Sequence, residues 1–170
     1  LFGLFINLDK HNTPSINAIQ PLLQIMIQLI KTGGHNVDQQ SFVKNIIGKP
    51  WVNRASSFDS ADCWGVVALY YKHVLGVDIP TVQGFIENEQ FERCYSESLH
   101  LWQEVSAPVV AGLVFTCYKG EIPTHVGVCI GGGKVLHSRG TEDNHGKVEI
   151  HAIRAIESVY GKISLHKFIG

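Results

Sequence analysis

The stretch "FDSADCWGVVALYY", residues 58–71, sets a cysteine directly behind Asp62 and ahead of an apolar run. Asp62 or Ser60 is suited to cap a helix here, and the helix is expected from about Asp62 to Leu75, ending at Gly76. Val66, Val67, Tyr70 and Val74, with Ala68 and Tyr71 one step aside, give it two apolar flanks. Such a helix is buried on both sides. Cys63 falls in the first turn, where unpaired backbone N–H groups and the positive end of the helix dipole favour a thiolate. The plainer alternative is a small buried residue that packs the helix entry. A neighbouring base would decide for chemistry.

Two histidines are candidates for that base. "PTHVGVCIGGGKVLHS", residues 123–138, reads as strand, tight turn and strand, with His125 on the first strand and His137 on the second. A three-residue loop, Gly131-Gly132-Gly133, sets Ile130 opposite Lys134. Gly127 then faces His137, and His125 lies diagonal to it on the same face, about 7–8 Å away at the backbone. A two-residue loop would throw the two imidazoles onto opposite faces. Gly127, with no side chain, is expected to leave room for a helix to approach the sheet. His11, His35, His73, His100, His145, His151 and His166 read as ordinary residues, with His145, in the turn "GTEDNHGK", held in reserve.

Around this pair the chain changes period. "VDQQSFVKNIIG" is a short helix with Asp38 as N-cap and Gly48 as stop, and residues 79–105 read as one or two further helices. After Pro108, "GLVFTCY", "THVGVCI", "KVLHS", "KVEIHAI" and "ISLHKFI" are short β-branched and aromatic runs separated by turn residues. Helices followed by an antiparallel meander give an α+β class, with N-terminal helices packed on an antiparallel β-sheet. Residues 1–40 form a separate helical extension. Asn17, Gln20, Gln24, Gln28 and Lys31 make a narrow polar stripe on an otherwise apolar helix. That helix either packs on its own domain or docks into a larger assembly. It is too short and too interrupted to span a membrane, and it lacks the basic start and cleavage site of a signal peptide.

The totals exclude several classes. With 170 residues, 45% apolar and 17% charged, the chain is globular and long enough for a core. A net charge of −1 without like-charge blocks argues against a nucleic-acid partner. Cys63, Cys94, Cys117 and Cys129 form no CxxC pair and no zinc spacing, and free thiols are expected. A Cys117–Cys129 bridge stays open if their strands are neighbours. No cofactor is expected. A metal held by Cys63, His125 and His137 is chemically possible, but the set explains itself without one.

Taken together, helix-start "DCWG", strand "THVGVCIG" and then "VLHS" resemble the NlpC/P60 cysteine peptidases. The likeness runs from about Gly48 to Phe168 and takes in "IIGKPWVNRA" and "VLGVDIP". It implies a papain-like core over residues 41–170, with Cys63 as nucleophile, His125 as general base and His137 orienting His125. It also places Trp51, Asp62 and Trp64 on the substrate and oxyanion side. Trp51 stands where many members carry a tyrosine, and "VAGLVF" lacks the family's aspartate. "DCWG" behind a helical extension is similar to the bacteriophage-tail branch. That implies a virion component, partnered by other tail proteins, that cleaves peptidoglycan stem peptides beside γ-D-glutamyl-diamino acid. A location in the bacterial envelope is the alternative. Rival readings are a silent tail-tip adaptor and a thiol acyltransferase or amidase.

Overall fold

The computed structural model describes residues 37–80, 98–106, 109–141, 143–144 and 146–170. The N-terminal helix, read as packing on its own domain or docking into a larger assembly, the helical reading of residues 81–97 with Cys94, and the reserve candidate His145 lie outside them. Among the described residues, no helix is long and apolar enough to cross a membrane.

Helix α1 (Gln39–Ile46) begins as its sequence dictates, with the Asp38 carboxylate accepting from the Gln40 and Ser41 N–H groups. Helix α2 (Cys63–Tyr70) is capped by Asp62 and runs on into a π-helical turn, Tyr71–Leu75, which closes at Gly76 in the left-handed region. Every residue from Gly65 to Tyr70 is buried, as an apolar run with two apolar flanks requires.

Strands β1 (Trp102–Glu104), β2 (Val114–Lys119), β3 (Ile122–Gly131), β4 (Lys134–Arg139), β5 (Lys147–Ala152) and β6 (Ile163–Phe168) form one antiparallel sheet in the order β1-β6-β2-β3-β4-β5. The meander β2 to β5 is the expected one. The chain then returns through helix α3 (Ile153–Tyr160), so that β6 pairs with the free edge of β2. Two expectations are corrected. "KVEIHAI" ends as a strand at Ala152, because Ile153, Ile156 and Tyr160 fall on one helical face. Residues 99–104 are a 3₁₀ turn and a strand, not a helix, because Trp102 pairs with Phe168 across the sheet edge.

The pleat divides the core in two. Val114, Val126, Val128, Leu136 and Val148 face α1 and α2, joined by Phe42, Ile46, Val66 and Val67. Phe115, Cys117, Cys129 and Val135 face the other way, under Ile156 of α3. Cys63, Cys117 and Cys129 are free thiols.

The β3–β4 turn differs from the one expected, yet it leads to the same register. Gly131 pairs with Lys134, so the loop holds only Gly132 and Gly133. A bulge between Cys129 and Gly131 then absorbs Ile130 and restores Cys129↔Val135 and Val128↔Leu136. The unpaired Ile130 has its carbonyl met by the Gln39 side chain at 3.0 Å. A flush two-residue hairpin would have separated the histidines, and the bulge cancels that shift. Gly127 is corrected as well. The space it leaves is taken by the Phe115 ring and His137 Cβ, not by a helix.

Gly131, Gly132 and Gly133 all have positive φ, at 85°, 60° and 69°. Gly132→Val should therefore lower stability by about 1–2 kcal/mol in urea unfolding, whereas Gly132→Asn should cost far less, since asparagine tolerates this region.

Candidate active site

The start of α2 is held by its own preceding loop. The Asp62 carboxylate accepts from the Gly65 N–H at 2.6 Å with one oxygen and from the Arg54 N–H at 2.9 Å with the other. The Ala55 carbonyl accepts from the Asp62 N–H at 3.0 Å. A Cβ on Gly65 would lie 2.0 Å from that same Ala55 carbonyl oxygen. The glycine two places after the cysteine is therefore demanded by a close backbone approach. Asp62 thus acts as cap and loop clamp.

The loop is also tied to the sheet. The backbone of residues 48–51 pairs beside β5, with Trp51 N–H donating to the Gly146 carbonyl at 2.8 Å. The Ser138 hydroxyl on β4 donates to the Ala61 carbonyl at 2.7 Å. The β3–β4 ladder ends at Val128↔Leu136. Beyond that point the helix start meets the strands: the Val126 N–H faces the Cys63 thiol and favours its charged form. A thiol on the α2 side thereby lies against the strand segment that carries His125.

A cleft of about 1040 Å³ opens here, lined among others by Trp51, Asp62, Cys63, Trp64, Thr116 and His125. Five of the six expected site residues therefore share one cleft, and the sixth, His137, lies fully buried behind His125. Trp51 is buried with its ring against Gly140. Trp64 donates its indole N–H to the Pro80 carbonyl at 3.3 Å and packs edge-on against Trp102.

The histidines form a longer chain than expected. His125 Nε2 lies 2.9 Å from His137 Nδ1, and His137 Nε2 lies 2.9 Å from His151 Nδ1. His151, read from sequence as an ordinary residue, is the third link. Its register opposite Val135 makes it the diagonal neighbour of His137, but the irregular 140–146 connection hides that register from sequence reading. Tyr160 was also missed. It stacks on the His125 ring at 4.8 Å and 12°, with the Arg139 side chain beside its hydroxyl. Its helical spacing with Ile156 was the available signal.

Burial sets the titration of the site. It pushes the Cys63 thiol up to about 12, and the Asp62 carboxylate beside it pushes the same way. The expectation that the helix start favours a thiolate is overturned. The backbone N–H groups of Val126, Trp64 and Cys63 still favour a thiolate, but burial and the negative charge of the Asp62 cap outweigh them. Burial, then Arg139, holds His125 down to about 4. Burial, then the neighbouring His125, His151 and Arg139, holds His137 down to about 3. At neutral pH the resting site is a neutral thiol beside neutral imidazoles. Among the described residues, no group of His, Cys, Asp and Glu is arranged to hold a metal.

A helix-start cysteine and strand histidines around one cleft, on an antiparallel sheet with a central buried helix, define an α+β protein of papain-like build. Residues 48–168 match the NlpC/P60 family, and the chain belongs to it. NlpC2 from Trichomonas vaginalis has the same fold, at 17% identity and a TM-score of 0.53, over 76% of this chain and 45% of that one. The NlpC/p60 domain of the peptidoglycan hydrolase SagA aligns over 83% of this chain and 94% of that one, at 20% identity and a TM-score of 0.47. A lipoprotein-like NLP/P60 protein from Staphylococcus aureus aligns at 18% identity over 96% of this chain and 45% of that one, with a TM-score of 0.48. The chain thus spans less than half the length of two of these three. No curated protein matches the chain.

Two outcomes follow from the site. Gly65→Ala should destabilise by about 2 kcal/mol or more in thermal unfolding: helix propensity favours alanine by about 1 kcal/mol, but the clash with a fixed carbonyl outweighs it. For His125 and His137 the folded values lie below the unfolded value of 6.5, so the unfolded chain binds more protons as pH falls. Their contribution should be full above about pH 6.5 and be lost as pH falls through about 4 and then 3. Urea midpoints across this range should drop, and His137→Asn should flatten the decline.

Proposed function

We propose that this chain is a cysteine endopeptidase acting on peptidoglycan stem peptides, at a γ-D-glutamyl-diamino acid type of bond. The single observation that carries the reading is that Cys63 and His125 line one open cleft, with the buried His137 bonded to His125 behind it, in a chain of the NlpC/P60 family. With His125 Nε2 turned to His137, Nδ1 is the nitrogen left to take the Cys63 proton. Because the resting pair is neutral, proton transfer accompanies attack on the substrate carbonyl instead of preceding it. The Cys63 N–H, in the first turn of α2, donates to the developing oxyanion. The acyl-enzyme on Cys63 is then released by water. The Thr116 hydroxyl is buried, lines the cleft and has no hydrogen-bond partner among the described residues, which suits it to a polar atom of the bound peptide.

The setting belongs to the same proposal. "DCWG" and the apolar stretch with its narrow polar stripe earlier in the sequence support a bacteriophage-tail component, carried among other tail proteins and acting at the bacterial wall. A second reading, a structural tail-tip adaptor without activity, draws on the protonated resting thiol.

The parent protein and Cys63→Ala should be incubated with peptidoglycans of several stem-peptide chemistries and the released fragments read by mass spectrometry. The parent should release fragments whose masses name the bond, and the variant should release them at least about 10³-fold more slowly. Fragments from neither protein would replace the enzyme reading with the structural one. The tail setting is tested by proteomics of purified particles, which should contain this polypeptide.

A further inference from the structure

His151 extends the site one imidazole further than the three residues in the catalytic reading. The arrangement is directional. Each link joins Nε2 of the inner ring to Nδ1 of the next, so a single choice of tautomer satisfies both. For His125 to accept at Nδ1, it must carry its proton on Nε2 and donate to His137 Nδ1. His137 then carries its proton on Nε2 and donates to His151 Nδ1. The inner two rings are buried, at 5% and 0% exposure, and His151 is partly open to solvent.

We propose that His151 is the outer member of a three-imidazole relay that carries positive charge out of the site when Cys63 gives up its proton. The inference rests on the catalytic reading above and deepens it.

The steps balance. The Cys63 S–H bond breaks and a His125 Nδ1–H bond forms. His125 passes its Nε2 proton to His137 Nδ1, and His137 passes its Nε2 proton to His151 Nδ1. His125 and His137 end neutral as their other tautomers, and His151 ends as imidazolium with both nitrogens protonated. Reversal returns the charge as His125 Nδ1–H protonates the leaving amine. Phe115 and the stacked Tyr160 ring wall the inner end, where an imidazolium would be poorly solvated. Around the outer end lie His137 on β4 and Glu149 on β5, while Arg139 is turned to the inner end, where its charge acts on His125 and His137 and its side chain meets Tyr160. Arg139 pairs with Glu149 at 3.5 Å, and Glu149 is a carboxylate on the same strand as His151. Lys134 and Lys147 sit at strand ends, and Arg154 and Glu157 of α3 are exposed.

His151→Gln and His151→Ala separate a relay from a prop. Glutamine can still accept from His137 Nε2 through its carbonyl oxygen and hold the ring, but it takes up no proton at neutral pH. Turnover should be followed with stem peptide and, in parallel, as the nitrophenol burst from a p-nitrophenyl ester acylating Cys63. The relay predicts that both variants lose about 10-fold in kcat or burst rate with KM unchanged. It also predicts a proton inventory in mixed H₂O/D₂O that is curved for the parent and linear for both variants. Full activity and an unchanged inventory in His151→Gln would overturn the relay and leave His151 as a positioning group. Absence of a burst in the parent would overturn it too. Ester acylation without stem-peptide cleavage would sink the peptidoglycan reading while the variants still decide the relay.

Discussion

Ile130 has no partner across the β3–β4 hairpin, and the site depends on that vacancy in the ladder. The turn itself is two glycines, which alone would put His125 and His137 on opposite faces. One extra residue in β3 shifts the pleat by one and brings them back to the same face, where their rings meet at 2.9 Å. The bulge is stabilised from outside the sheet, by Gln39 at the start of α1, whose carbonyl in turn accepts from the Tyr70 hydroxyl of α2. The helices therefore hold the register of the strands that carry the histidines.

The second constraint is the close approach at the start of α2. Gly65 and Asp62 let the loop 54–56 lie directly on the first helical turn, and Ser138 fastens Ala61 to β4. This fixes Cys63 against Val126. It also explains a titration that runs against intuition. The carboxylate that builds the turn is the neighbour that opposes a thiolate, so the Cys63 thiol is held neutral. Burial likewise keeps the His125 and His137 imidazoles neutral. In the proposed reaction such a site has to move charge, and a ring chain that leads to a partly exposed His151 offers a path.

Much of the architecture was legible in local pattern. Asp38 and Asp62 as caps, Gly48 and Gly76 as stops, and the five strands after residue 112 follow from spacing and turn chemistry. The candidate trio Cys63, His125 and His137 was legible from a helix start and an alternating hairpin. Helix α3 and strand β1 were missed because each is short and takes its identity from what it packs or pairs with. Ile156 covers Phe115, and Trp102 finds Phe168.

The sequence by itself determined where elements begin and end, since caps, glycines and two-residue or 3.6-residue periods act within a few positions. It also carried the order cysteine, histidine, histidine that places the chain in its family. Only the tertiary structure decided the bulge that sets the hairpin register, the place of His151 and Tyr160 beside the pair, and the sign of the shift at Cys63. Each of those depends on groups far apart in the chain, and on how much water their meeting excludes. Desolvation and cross-strand register are properties of the packed molecule, and no local pattern encodes them.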